Sequence, residues 1–146
     1  MSETIERRKI VVERRYTHAP AKVWRALTEA DLLARWVMAN DFAPERGRRF
    51  AFRTQPQGPW NGVVACEVLE IEPITRLVIR WGDGTRDGGM VDTTVAFTLT
   101  PDGDGSRLVM EQAGFTPEQE INRRGAMAGW THMMASLDGL LGEVAG

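Results

Sequence analysis

Cysteine is almost missing from this chain. Cys66 is the only one, so no internal disulfide can form, and a reducing cytoplasm is the compartment that suits the sequence. Histidine is nearly as scarce: His18 and His132 with a single cysteine are too few for an ordinary structural zinc site, and no metal or other cofactor is expected. Neither sign of charge dominates. Eighteen Lys and Arg stand against 20 Asp and Glu, a formal net charge of −2, which provides no basis for binding nucleic acid or an anionic membrane surface. The apolar runs are too short to span a bilayer. The N-terminal stretch MSETIERRKIVVERR is charged throughout and lacks the apolar region of a signal peptide. Signatures of catalysis are absent as well: no GxSxG, no HExxH, no cysteine beside a histidine. Cys66 sits mid-strand among valines, where an apolar setting keeps a thiol inert.

What is present is ordinary in quantity and unusual in kind. The 146 residues, 42% of them hydrophobic, suffice for one domain over 1–146 with a real core. Five Trp and seven Met supply large, soft side chains. The longest coherent pattern runs from Thr116 to Gly142. It opens with Thr116, Pro117 and Gln119, the spacing of a capping box with proline at the first helical position. Met127, Trp130, Met134, Leu137 and Leu141 then recur at steps of three and four, and Ala126, Met133, Leu140 and Val144 form a second row beside them. A helix of roughly 26 residues is about 39 Å long, so an equally long surface has to cover its apolar face.

That surface is predicted to be a sheet. Residues 5–16 alternate as a strand whose inward set is Ile10, Val12, Arg14 and Tyr16. Pro20 starts a short helix carrying Val23, Trp24 and Leu27. The run Thr28 to Asp31 reads as an acidic capping box opening a second helix with Leu32, Leu33 and Trp36. That pair lacks the Arg, Lys, Asn and Gln cluster of a DNA-reading helix. Residues 40–47 read as loop. Strands follow at 48–53, 60–72, 76–81, 90–100 and 107–112, with turns at 55–59, 82–89 and 101–105. Neither glycine-rich turn fits a phosphate cradle or a calcium loop. Strands joined by such short turns are antiparallel, with one wet and one dry face. The fold class is therefore α+β: six antiparallel strands curved around a C-terminal helix, with two short helices after the first strand. A twisted sheet does not meet a straight helix evenly, so bulky side chains fill the divergence or leave a cavity.

This order resembles the START-like superfamily, also called SRPBCC or helix-grip. Within it the chain is similar to the bacterial homologues of the activator of heat-shock protein 90 ATPase. The resemblance rests on residues 19–36 (APAKVWRALTEADLLARW), on Gly62 through Glu70-Ile71-Glu72-Pro73 to Leu77–Trp81, and on Gly129-Trp130 with Leu137 and Leu140 or Leu141. The superfamily hosts lipid carriers, polyketide cyclases, hormone receptors and co-chaperones, and fold analogy does not choose among them. The eukaryotic co-chaperone carries a separate N-terminal domain. Here the START-like domain takes up the whole chain, so stimulation of an ATPase would have to come from that domain alone.

Trp and Met on the inward faces suit a flat hydrophobic guest between sheet and helix. The residues expected to bind a small hydrophobic molecule are Trp36, Phe52, Trp60, Trp81, Phe97, Met110, Gln112, Met127, Trp130 and Met134. For Met127, Trp130 and Met134 plain core packing competes with this reading. Gln112, in register with Leu108 and Met110, either meets a ligand or satisfies a neighbouring backbone group. Asp92 and Glu111 fall on the outward register, His132 lies off the apolar stripe, and His18 reads as structural. A carrier or sensor is the first expectation. The resemblance also implies a cyclase or hydrolase acting through dispersed polar groups, or a module that contacts a chaperone. A homodimer stays open.

Overall fold

The computed structural model describes residues 9–58, 60–85 and 90–144, with only the backbone described at 83–85 and 90. Its first strand, β1 (Ile10–Tyr16), leads into two short helices, α1 (Pro20–Thr28) and α2 (Ala30–Trp36). Six more strands follow: β2 (Ala39–Asn40), β3 (Arg49–Arg53), β4 (Trp60–Glu72), β5 (Arg76–Thr85), β6 (Met90–Asp102) and β7 (Gly105–Ala113). A 3₁₀ turn at Pro117–Gln119 then opens the terminal helix, α3 (Glu120–Glu143). All strands join one antiparallel sheet in the order β1-β7-β6-β5-β4-β3-β2. Seven strands are present rather than six. The addition is the two-residue β2, which pairs Ala39 with Arg53 and Asn40 with Phe52 at the sheet edge and is too short to have a period.

The alternation along each strand sorts side chains as expected for a half-wet sheet. On β1 Ile10 and Tyr16 are buried, Val12 and Arg14 half-buried, and Val11, Glu13 and Arg15 exposed. The strand expected over residues 5–16 is seen from Ile10; residues 1–8 lie outside the described part. Phe50 and Phe52 on β3, Val64, Cys66 and Val68 on β4, and Leu77, Ile79 and Trp81 on β5 all face inward. Val95, Phe97 and Leu99 on β6 and Leu108, Met110 and Gln112 on β7 continue the same dry surface. Outward residues pair across strands: Arg80 makes two 2.9 Å bonds to Asp92, and Arg107 reaches Glu13 at 2.7 Å. The hairpin reading of 82–89 holds at its flanks, where β5 and β6 pair antiparallel; 86–89 lie outside the described residues.

Two local features depart from the sequence reading. Thr28 does not cap α2. It closes α1, its hydroxyl donating to the Trp24 carbonyl at 2.7 Å, and Glu29 is the N-cap of α2 without a side-chain capping bond, its carboxylate accepting from Arg25 instead. Near the start of β4 the register shifts between Trp60 and Val64. Gly62 sits there at φ 79°, and a Cβ on it would come within 2.3 Å of the Thr54 carbonyl oxygen, so only glycine fits this bulge. The bulge re-aims the strand that carries Trp60.

The α3 backbone comes closest to β1 and the two short helices, so large side chains must span the distance to the middle of the sheet. Tyr16 donates to the Met134 carbonyl at 2.7 Å, and burial pushes its phenol well above the usual tyrosine range. Arg14, on the same inward face, lies 3.8 Å from Asp138 of α3 and is about 40% exposed, so it is both paired and in reach of water. Trp36 donates to the Ala26 carbonyl at 2.9 Å, locking α2 on α1.

Candidate cavity between the sheet and the terminal helix

Trp130 marks a division along α3. From Trp130 to Leu141 the inward residues Trp130, Met134, Leu137, Leu140 and Leu141 are all buried. Before Trp130 the positions bordering the space toward the sheet include Gly125, Ala126 and Gly129, which have little or no side chain. Space that a larger residue would occupy is left open. A Cβ built on Gly125 or Gly129 meets nothing within 4 Å.

The result is a cavity of about 540 Å³, partly open to solvent. On the helix side it is bounded by Asn122, Gly125, Ala126, Gly129, Trp130 and Met133. Facing them on the sheet are Trp60 and Val64 of β4, Trp81 of β5, Val91 of β6 and Gln112 of β7. Met38, Gln57 and Phe115, from three separate connections, complete the border. The volume lies within the range of pockets that enclose drug-sized molecules. The remaining core is tight. The other void among the aromatic residues, bordered by Leu27, Phe50, Phe52, Phe97 and Trp130 among others, measures about 10 Å³, space for one water at most.

The cavity floor is held by a chain of hydrogen bonds. The Trp130 indole N–H donates to Gln112 Oε1 at 2.9 Å, Gln112 Nε2 donates to Thr93 Oγ1 at 2.8 Å, and the Thr93 hydroxyl donates to the Trp81 carbonyl at 3.2 Å. An indole N–H can only donate, so this chain fixes which end of the Gln112 amide faces which partner. Gln112 thus satisfies two side chains rather than a backbone group. The rings of Trp81 and Trp130 lie 5.2 Å apart and tilted, with Phe52 5.3 Å beyond Trp81. Trp60 borders the cavity with its indole Nε1 buried and without a partner among the described residues.

Of the ten residues expected to contact a ligand, the structure brings Trp60, Trp81, Gln112 and Trp130 together on this cavity. Trp36, Phe52, Phe97, Met110 and Met134 do not border it. They are buried in the packed core, Met110 and Met134 completely. Met127 is a correction: it is 41% exposed and turns away from the cavity. Residues three and four before Trp130 flank its direction on opposite sides of the helix, and the sheet lies on the side of Ala126. The second apolar row, Ala126 and Met133, therefore faces the cavity. The Gly125–Gly129 pair was the overlooked signal, because a step of four between glycines removes bulk from one helical face.

No metal-binding cluster of His, Cys, Asp or Glu occurs among the described residues, and no helix is long and apolar enough to cross a membrane. His18 holds a structural position, its carbonyl accepting from the Ser106 hydroxyl and its ring 3.3 Å from Lys22. His132 is exposed, and Cys66 is buried on β4.

A curved antiparallel sheet gripping a C-terminal helix, with an apolar hollow between them, defines the START-like, helix-grip class. Residues 17–142 match the family described as Activator of Hsp90 ATPase homolog 1-like protein, and the chain belongs to that family. A crystal structure of the protein MLL2253 from Mesorhizobium loti is similar, with 40% identity, a TM-score of 0.86, and coverage of 94% of this chain and 99% of that one. CalU16 from Micromonospora echinospora is 26% identical, with a TM-score of 0.73 over 91% of this chain and 75% of that one. DynU16, from the dynemicin biosynthetic locus, shares the fold at 19% identity and a TM-score of 0.76, over 92% of this chain and 47% of that one. Among curated proteins none matches.

Proposed function

We propose that this protein binds a small hydrophobic molecule in the cavity between the sheet and the first half of α3, as a cytoplasmic carrier or sensor. One observation carries the reading: a partly open hollow of about 540 Å³ is walled by Trp60, Trp81 and Trp130 and left vacant by Gly125 and Gly129. A stable fold gains nothing from glycines in a helix interior, each of which costs about 0.5–1 kcal/mol relative to alanine. Their use here fits a requirement for room. The described border residues include no carboxylate, imidazole, thiol or amine, so they provide no acid, base or nucleophile for chemistry on a guest. Membership of the family supports the ligand-binding reading.

The test is titration with a panel of flavonoids, fatty acids and polyketides, read by tryptophan fluorescence and by melting temperature. Three Trp border the cavity, so an occupant changes the emission. At about 100 times its dissociation constant it adds close to 2.7 kcal/mol of stability. A panel that leaves both signals unmoved would remove the support for a receptor.

A further inference from the structure

The chemistry of the cavity border selects the kind of guest, given the reading of the cavity as a binding site. Its polar side chains, apart from the indoles, are three carboxamides: Gln57, Gln112 and Asn122. Gln112 is the deepest, 1% exposed, and its amide is held by Trp130 and Thr93. Those two bonds use one N–H and one lone pair, leaving the amide one further donor and one further acceptor position. A neutral carbonyl, amide or hydroxyl can be matched there. A carboxylate pushed to the same depth would lose its water and find no cation among the described border residues, and burying an unpaired charge is costly.

Shape narrows the class further. On the helix side Gly125 and Gly129 present bare backbone, a smooth strip between the side chains of Asn122 and Met133. Opposite stand the rings of Trp60 and Trp81, and Trp130 closes one end against Trp81. A smooth strip facing ring surfaces accommodates a plate, and aromatic rings favour offset or edge contacts with another π-system. Gln57 and Asn122 are exposed on the border, so they can accept or donate to a polar substituent that reaches toward solvent.

We propose that the cavity takes flat, uncharged polycyclic aromatic molecules bearing a neutral hydrogen-bonding group, and discriminates against their carboxylate counterparts. Two probes of matched shape test this: anthracene-2-carboxamide and anthracene-2-carboxylate, titrated calorimetrically against the full chain near neutral pH. The expected result is that the carboxamide binds at least about tenfold more tightly, and that Gly129→Phe, which places a ring in the cavity, abolishes its binding. Gly125→Leu serves as a second plug, and a melting curve confirms that each variant is folded. Equal or tighter binding of the carboxylate, displaced by the same plugs, overturns the proposed selectivity and leaves the binding site standing. Failure of both probes to bind, or binding of both that survives both plugs, overturns the cavity reading and the selectivity with it.

Discussion

The two halves of the terminal helix face the same sheet and meet it differently. From Trp130 onward, Met134, Leu137 and Leu141 are wholly buried, and β1 clips the helix through the Tyr16 bond to the Met134 carbonyl and the Arg14–Asp138 pair. Before Trp130, glycines and an alanine face a hollow, and Ile121 is 85% exposed. That half is stabilised at its surface and its start. The Thr116 N–H donates to Gln119 Oε1 at 2.9 Å, and Glu120 bonds Arg123 and Arg124 at 2.8–3.0 Å. One half is held by burial and the other by caps and ion pairs. A fold can therefore keep a cavity beside a helix provided that the neighbouring turns are anchored firmly.

The largest effect is expected at the boundary. Trp130 is 2% exposed, packs against Trp36, Trp81 and Phe97, and satisfies Gln112. Trp130→Ala should cost about 3–5 kcal/mol in urea unfolding, as large buried aromatic truncations do. Removing the donor to Gln112 adds to that loss. A cost under about 1 kcal/mol would mean that the ring is not packed against its aromatic neighbours and that the boundary is misplaced.

Within one helical stripe, Leu137 and Met127 separate the halves more sharply. Leu137→Ala should lose roughly 2–5 kcal/mol, because the side chain is fully buried. Met127→Ala, at a position 41% exposed, should stay within about 0.5 kcal/mol of the parent. Similar losses at both sites would contradict the division.

These contrasts also show what a sequence discloses. The period of two along β1 and β3–β7 was legible because one face of each strand is wet, and the period of three and four along α3 because its second half meets a continuous dry surface. Thr116 and Gln119 announced the helix start in their own chemistry. β2 had no period to read. The cavity was legible only in part, because it consists of side chains that are absent. Apolar patterning marks Met127 and is silent on Gly125 and Gly129, although the glycines shape the site. Met38, Gln57 and Phe115 come from connections far apart in sequence, and a bulge at Gly62 sets the placement of Trp60. Periodicity carries none of these.

Small gains are expected where the helix is hollow. Gly125→Ala and Gly129→Ala should each raise stability by about 0.5–1 kcal/mol, since a methyl group there meets no neighbour and alanine loses less backbone entropy on folding. Thermal unfolding checks this. A loss instead would show that the helix and sheet are closer in solution than the hollow implies.

The smallest effect concerns the ion pairs of the first turn. The guanidinium of Arg123, and then that of Arg124, hold the Glu120 carboxyl down at about 2, from an ordinary 4.5. A group whose acidity is strengthened by folding binds fewer protons in the folded state than in the unfolded one. Its contribution is therefore complete above 4.5 and is lost as pH falls from 4.5 toward 2. Since the Glu120 side chain is about 45% exposed, solvent screening keeps the contribution small. Glu120→Gln should therefore lower stability slightly near neutral pH, and the gap to the parent should close as the pH falls through that window. Leu137→Ala, which removes only buried carbon, should keep a constant gap over the same range. A Glu120→Gln gap that does not change with pH would mean that the hollow half is not held by its surface charges, and that the cap alone anchors it.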